Sequence, residues 1–280
     1  MFLTGREAHH AQHVVRVRRG ERVAVLDGIG HEYLCEVQGI GRANVRLALI
    51  EEHIHPAPSC RVTLVQAVPK GKIMEAIIQK ATELGVFRIV PLLSERVVPQ
   101  LEDKASAHKT EKWQLAAIEA IKQCGSAWLP VVEPPLTPNQ FLARADSFEM
   151  SLLASLQSGS RPARDYFRAV HGKLGRMPQS VSVWVGPEGD FTPTETELIK
   201  ANGVLPITLG RLILRIETAA IYCLSVLSYE LQSPHTDEAS PVQPRKALRR
   251  GALGPPDSPQ LRDCTSVRNA RPRCSGWVSV

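Results

Sequence analysis

The sequence contains no apolar run close to the roughly 20 residues that cross a bilayer, and its first residues, Met1-Phe2-Leu3-Thr4-Gly5-Arg6, form neither a basic leader nor an apolar one. Neither a membrane-spanning nor an exported chain is expected, and the reading is a cytoplasmic protein. Cysteine is scattered: Cys35, Cys60, Cys124, Cys223, Cys264 and Cys274 include no C-x-x-C pair, so neither a disulfide scaffold nor a zinc site is expected. The phosphate-cradling loops are missing too. There is no G-x-G-x-x-G after the first strand and no G-x-x-x-x-G-K-[ST], which argues against a dinucleotide enzyme and a P-loop NTPase, and no G-x-S-x-G elbow for a serine hydrolase. His9, His10 and His13 can share one side of a helix, but the cluster lacks a mixed ligand set and no metal is expected.

What is present is the composition of a globular protein: 280 residues, 43% hydrophobic and 22% charged. Lys and Arg outnumber Asp and Glu by 34 to 28, a net +6 that favours an anionic partner such as nucleic acid. The excess is unevenly placed. Residues 233–280 hold eight basic and four acidic residues, seven prolines and only seven Leu, Ile, Val or Phe, so this segment is expected to be a disordered, basic, proline-rich tail. Within the body the denser local charge is Arg6, Arg16, Arg18 and Arg19 against Glu7.

A seam near residues 53–59 divides the body. Before it, Thr4-Gly5-Arg6-Glu7 has the form of a capping box opening a helix to His13, and residues 23–26, 33–37 and 45–49 read as strands, the first two joined by the turn Asp27-Gly28-Ile29-Gly30. Short strands with glycine-rich connections suggest a small β-barrel. After the seam, strand and helix alternate. A strand at 62–67 leads to a helix with Ile73, Ile77, Ala81 and Leu84 on one face and a stop at Gly85, then a strand at 87–92. Helices at 109–124, 193–202 and 218–231 and strands at 150–154, 181–185 and 206–209 complete an α/β domain with a mostly parallel sheet.

Ligands of open parallel sheets sit beyond the carboxyl ends of the strands, which singles out two loops. The first runs Val185-Gly186-Pro187-Glu188-Gly189-Asp190-Phe191, followed by Thr192, Pro193 and Glu195 in the form of a helix cap. Its glycines allow close backbone approach and Glu188 offers a carboxylate. The second runs Leu209-Gly210-Arg211-Leu212-Ile213-Leu214-Arg215-Ile216-Glu217, with apolar residues suited to an adenine ring and Arg215 suited to a negative charge. A plain strand-to-helix turn accounts for the first loop equally well, and a helix-terminus pairing of Glu217 with Arg215 for the second.

Taken together, these segments resemble the small-subunit ribosomal RNA uracil-N3 methyltransferases of the SPOUT class. The family's glycine loop matches Gly186-Pro187-Glu188-Gly189-Asp190-Phe191, and its second long motif matches the segment from Leu209 to Ala219. Further matches are Lys70-Gly71-Lys72-Ile73-Met74-Glu75, Gln79-Lys80-Ala81-Thr82-Glu83-Leu84-Gly85, Ser94-Glu95-Arg96, Glu119-Ala120 with Gln123, and His9-His10 with Val15-Arg16 and Gly20. The resemblance covers roughly residues 1–232. It departs at Asp190, which replaces a glycine, and at Leu212, where the family commonly has arginine; the tail has no counterpart.

The resemblance implies a PUA-like RNA-binding barrel over residues 1–58, a SPOUT methyltransferase domain with a deep trefoil knot over 59–232, and a homodimer. It implies S-adenosylmethionine as cofactor, held by Leu152, Leu153, Gly186, Pro187, Glu188, Gly189, Leu209, Gly210, Leu212, Ile213 and Leu214. The implied partner is 16S ribosomal RNA or the small ribosomal subunit, met through Arg6, His10, Arg16, Arg18 and Arg19. Methylating uracil N3 requires removal of its proton and stabilisation of an oxyanion, for which Arg215 is the candidate cation and Glu217 or Glu188 the candidate carboxylate. A non-catalytic RNA-binding protein and a ribose 2'-O-methyltransferase are the competing readings.

Overall fold

A computed structural model of the chain describes residues 1–96, 103–157, 159–231, 266–269 and 278–279. It divides into two compact units, residues 1–55 with 233–280, and residues 56–232.

In the first unit, strands β1 (Phe2–Thr4), β2 (Arg22–Leu26), β3 (His31–Ile40) and β4 (Asn44–Ile54) build an antiparallel sheet in the order β1-β4-β3-β2. Alternation explains its single core face: Val23 and Val25, Tyr33, Cys35 and Val37, and Val45 and Leu47 point to one buried cluster with Leu3, Ala8 and Ala11. Two register shifts between β3 and β4 bend the pair. The expected turn forms as read. Asp27 Oδ1 accepts from the Ile29 and His31 amides, with Gly28 at φ 78° and Gly30 at φ 109°.

The expected capping box at Thr4 does not form: α1 (Gly5–His9) has no side-chain cap. Thr4 belongs instead to β1, paired with Asn44, and Gly5 stands at φ 54°, outside the helical region. The helix then widens into a π-turn over His10–Val14, closed by the Val15 amide on the His10 carbonyl. The tail expected to be disordered falls mostly outside the described residues. Its two described pieces differ from that expectation, since β11 (Ser266–Asn269) pairs antiparallel with β2 and β12 (Val278–Ser279) with β11. β11 thus takes the edge of β2 that β3 leaves open, where backbone groups need an extended partner.

The second unit is a three-layer α/β sandwich. Strands β5 (Arg61–Ala67), β6 (Arg88–Leu92), β7 (Val131–Val132), β8 (Met150–Ala154), β9 (Ser180–Val185) and β10 (Leu205–Ile207) pair in parallel in the order β10-β8-β9-β5-β6-β7. The central strands β5 and β9 are buried almost continuously, as expected where both faces are covered. On one face pack α2 (Ile73–Glu83), α3 (Asp103–Cys124), α5 (Ala163–Leu174) and α7 (Ile216–Leu231), through residues such as Ile77, Trp113, Phe167 and Leu224 against Leu64 and Val183. On the other, α4 (Pro138–Ala143) and α6 (Pro193–Ala201) supply Phe141 and Ile199 against Val65, Leu153 and Trp184. Helix α2 ends as its sequence indicates: Gly85, at φ 78°, lets the Val86 amide reach back to the Ala81 carbonyl. Among the described cysteines, Cys35, Cys60 and Cys223 are buried and Cys124 is exposed, all as free thiols. No helix among the described residues is long and apolar enough to cross a membrane.

Candidate functional site

The parallel order brings the carboxyl ends of β10, β8 and β9 side by side, and a cleft open to solvent lies there. Three segments wall it: Ala154, Ser155 and Leu156 after β8; Val185, Gly186, Pro187, Glu188 and Asp190 after β9; and Leu209, Leu212, Ile213 and Leu214 after β10, with Ile216 and Ala219 at the start of α7. The lining is apolar except for Ser155 and two carboxylates, and it includes no Lys or Arg. Such a wall suits a flat apolar ring and a positively charged group better than a phosphate.

The glycine loop is tightly held. A Cβ on Gly186 would lie 2.9 Å from Asp190 Oδ1 and 3.3 Å from the Phe191 amide nitrogen, so a larger residue there must displace the Asp190 carboxylate and press on Phe191. The loop closes with the Asp190 amide on the Pro187 carbonyl. Asp190 itself sits at φ 61°, a left-handed conformation that an aspartate tolerates, and its Oδ1 accepts from the Phe191 amide at 2.8 Å. Thr192 and Glu195 form the reciprocal capping box read from the sequence, with Pro193 at the first turn.

Three longer-range bonds fix this loop to its neighbours. Glu188 Oε1 accepts from the Lys70 amide at 3.0 Å, joining the loop after β5. Arg96 Nη1 donates to the Gly189 carbonyl, joining the loop after β6. Glu195 Oε1 accepts from the Glu95 amide at 2.9 Å while its Oε2 accepts from Thr192, so this buried carboxylate is satisfied on both oxygens.

The loop after β10 is built differently. Gly210, at φ 105°, turns the chain and donates to Thr208 Oγ1 at 3.2 Å, after which Leu212 and Ile213 stand 76% and 85% exposed although both line the cleft. Arg215 occupies the cap of α7, its carbonyl accepting from the Ala219 amide, and its side chain is exposed. Glu217 follows in the first helical turn, half-buried. The alternative pairing of Arg215 with Glu217 does not occur.

Most sequence-assigned cofactor residues therefore meet at one cleft: Gly186, Pro187, Glu188, Leu209, Leu212, Ile213 and Leu214. Four do not. Leu152 and Leu153 are fully buried on opposite faces of β8, and the strand reaches the cleft only at the next residue, Ala154, because alternation inside a covered sheet turns both leucines into core. Gly189 and Gly210 shape the loops without lining the space; a Cβ on Gly189 meets only Arg96 at an ordinary 3.5 Å. Residues the sequence did not assign are Ala154, Ser155, Leu156, Val185, Asp190, Ile216 and Ala219, together with the latches at Lys70, Arg96 and Glu195. The segment Ser94-Glu95-Arg96 at a strand's carboxyl end was the available signal.

In the first unit, Arg6 lies on α1, His10 opens the π-turn half-buried, and Arg16, Arg18 and Arg19 are exposed before β2. The strongly shifted titrations lie outside the cleft lining. A hydrogen bond from Arg176, reinforced by the Gln179 amide, holds Glu149 down at about 2. Burial pushes the Cys60 and Cys223 thiols up to about 12, with Glu149 adding to the effect at Cys60.

Comparison with known proteins agrees with this geometry. Residues 55–228 match the RNA methyltransferase domain family and residues 3–50 the RNA methyltransferase PUA domain. The chain is 32% identical over 237 residues to the ribosomal RNA small subunit methyltransferase E of Bacillus subtilis, covering 84% of this chain and 92% of that protein. It superposes with a TM-score of 0.74 on a methyltransferase of Legionella pneumophila solved with bound SAM, at 30% identity over 82% of this chain and 91% of that one. The enzyme of the same name from Neisseria gonorrhoeae, bound to S-adenosyl methionine, gives 0.71 at 26% identity over 82% and 91%. The chain belongs to the ribosomal RNA small subunit methyltransferase E family.

Proposed function

We propose that this protein is an S-adenosylmethionine-dependent methyltransferase that modifies N3 of a uridine in small-subunit ribosomal RNA. The observation that carries the reading is the cleft at the carboxyl ends of β8, β9 and β10, apolar, acid-lined and free of Lys and Arg. The residues fit the cofactor: Leu209, Leu212, Ile213 and Leu214 offer apolar surface for the adenine, Gly186 leaves the backbone room to approach, and Glu188 and Asp190 complement a sulfonium.

S-adenosylmethionine supplies an already activated methyl group, so the protein's work is positioning and exposing the nucleophile. Uracil N3 is protonated and hidden in a base pair, so the target must be unpaired or flipped into the cleft. Arg215, permanently charged and exposed at the cap of α7, is assigned to the oxyanion that develops as the proton leaves. Glu188, which lines the cleft and accepts from the Lys70 amide through one oxygen, and Glu217, in the first turn of α7, are the two candidate acceptors for the proton.

The finer architecture follows the same reading. Residues 1–58 form the RNA-binding PUA-like barrel, with Arg6, His10, Arg16, Arg18 and Arg19 as contacts, and 59–232 the knotted catalytic domain. The position of β10 outside β8, with its loop lying against the loop after β9, supports the knot. A homodimer is supported by Tyr222 and Tyr229, two turns apart on α7 and 45% and 75% exposed. The enzyme acts in the cytoplasm, where its RNA is. Mass spectrometry of ribosomal RNA from a deletion strain tests the reading: N3-methyluridine is expected to disappear from the small subunit, and an unchanged profile refutes it.

A further inference from the structure

The cleft and its rim carry opposite charge. Inside are Glu188 and Asp190 and no cation; Lys70, Lys72, Arg96, Arg211 and Arg215, all exposed, lie on the segments that carry the lining residues or are bonded to them. Their placement at the rim is set by bonds rather than by sequence proximity. Lys70 is tied through its backbone amide to Glu188, a lining residue, and Arg96 reaches the Gly189 carbonyl. Arg211 interleaves with the lining residues Leu209 and Leu212.

Glu188 bonds the amide of Lys70 and not its ammonium, and no ion pair involves the ammonium of Lys70 or Lys72 among the described residues. Elsewhere on this domain Lys80, Lys112 and Lys122 each meet a glutamate. Gly71, at φ 72°, makes the turn between the two rim lysines. A turn fixed by its backbone and carrying two unneutralised ammonium groups is a site for two phosphates, and it lies beside the space where the target base must enter.

We propose that Lys70, Lys72 and Arg211 are the catalytic domain's own contacts to the RNA backbone, with Glu188 as the positioning residue that holds the Lys70-Gly71-Lys72 turn at the mouth. The domain thereby grips the phosphates flanking the flipped nucleotide, independently of the basic residues of the first unit. This inference rests on the RNA methyltransferase reading and adds a second anchoring surface to it.

The test measures binding of small-subunit ribosomal RNA by filter retention without cofactor, across a salt series, for the full chain and for K70Q/K72Q. The slope of log affinity against log salt is expected to fall by roughly one per lysine removed. The KM for RNA should rise while cofactor affinity, read by calorimetry, stays that of the wild type. Lys72→Gln alone, at an exposed position, should give about half the change in slope, which guards against a folding defect in the double variant. Glu188→Gln keeps an acceptor for the Lys70 amide and should retain RNA affinity, whereas Glu188→Ala should lose it as the lysine variants do. An unchanged slope and KM in K70Q/K72Q overturns the proposal and leaves the methyltransferase reading intact. A wild type that binds RNA with the expected slope but transfers no methyl group overturns that reading and leaves the contact surface standing.

Discussion

The two loops that face each other across the cleft are built on opposite principles. The loop after β9 is bonded to the loops after β5 and β6 through Glu188, Gly189 and Glu195, and is tightly packed around Gly186. The loop after β10 is held mainly by the Gly210 turn and leaves Leu212 and Ile213 largely in solvent. One wall is therefore formed before any ligand arrives, and the other holds apolar surface that gains by being covered. Rigid geometry serves the reacting end of a ligand, and adaptable apolar surface serves its remote end.

The sharpest way to break this comparison is at Arg215, on the open side. Arg215→Ala should lower methyl transfer by about 10²–10³-fold, as loss of one oxyanion donor does, while cofactor affinity by calorimetry stays within twofold of wild type in order of magnitude. Next comes the rigid wall. Gly186→Ala should cost about 1–3 kcal/mol of overpacking and weaken the cofactor, whereas Gly189→Ala, with ordinary space for its Cβ, should bind it nearly normally.

On the open wall, Leu212→Ala and Ile213→Ala should each lose about 1 kcal/mol of cofactor affinity and leave the melting temperature of the free protein unchanged, because neither side chain is buried without ligand. Asp190 separates conformation from charge. Asp190→Gly should be close to neutral in denaturant unfolding and Asp190→Ala destabilising by about 1 kcal/mol, since only the second forces a Cβ without a local hydrogen bond into the left-handed region.

The smallest effect lies outside both loops. Glu149 is held near 2, below its ordinary 4.5, so its ion pair with Arg176 contributes fully above pH 4.5 and is lost as pH falls toward 2. In acid unfolding followed by circular dichroism, Glu149→Gln should be less stable than wild type near neutrality, and the two curves should converge at the acid end.

What was legible in the sequence follows from which signals are local. The periodicities of α2 and the cap at Thr192 are set by neighbouring residues, and both form as read. Helix α4 spans six residues and β7 two, too short for a period to show, and α5 buries fully only Ala163 and Phe167. The capping form at Thr4 misled because strand pairing with β4 claims that residue. At the site, the loops after β9 and β10 were visible as motifs. The latches from Lys70, Glu95 and Arg96 were not, since they join residues about 100 positions apart and depend on β5 and β6 lying beside β9.

The central claim is tested most directly by incubating the purified full chain with small ribosomal subunits lacking the modification and with S-adenosylmethionine carrying an isotopically labelled methyl group, then locating the label by mass spectrometry of nucleosides. The account predicts label on N3 of uridine, lost in Arg215→Ala. Label on a ribose 2'-oxygen, or no incorporation by the wild-type protein, would contradict it.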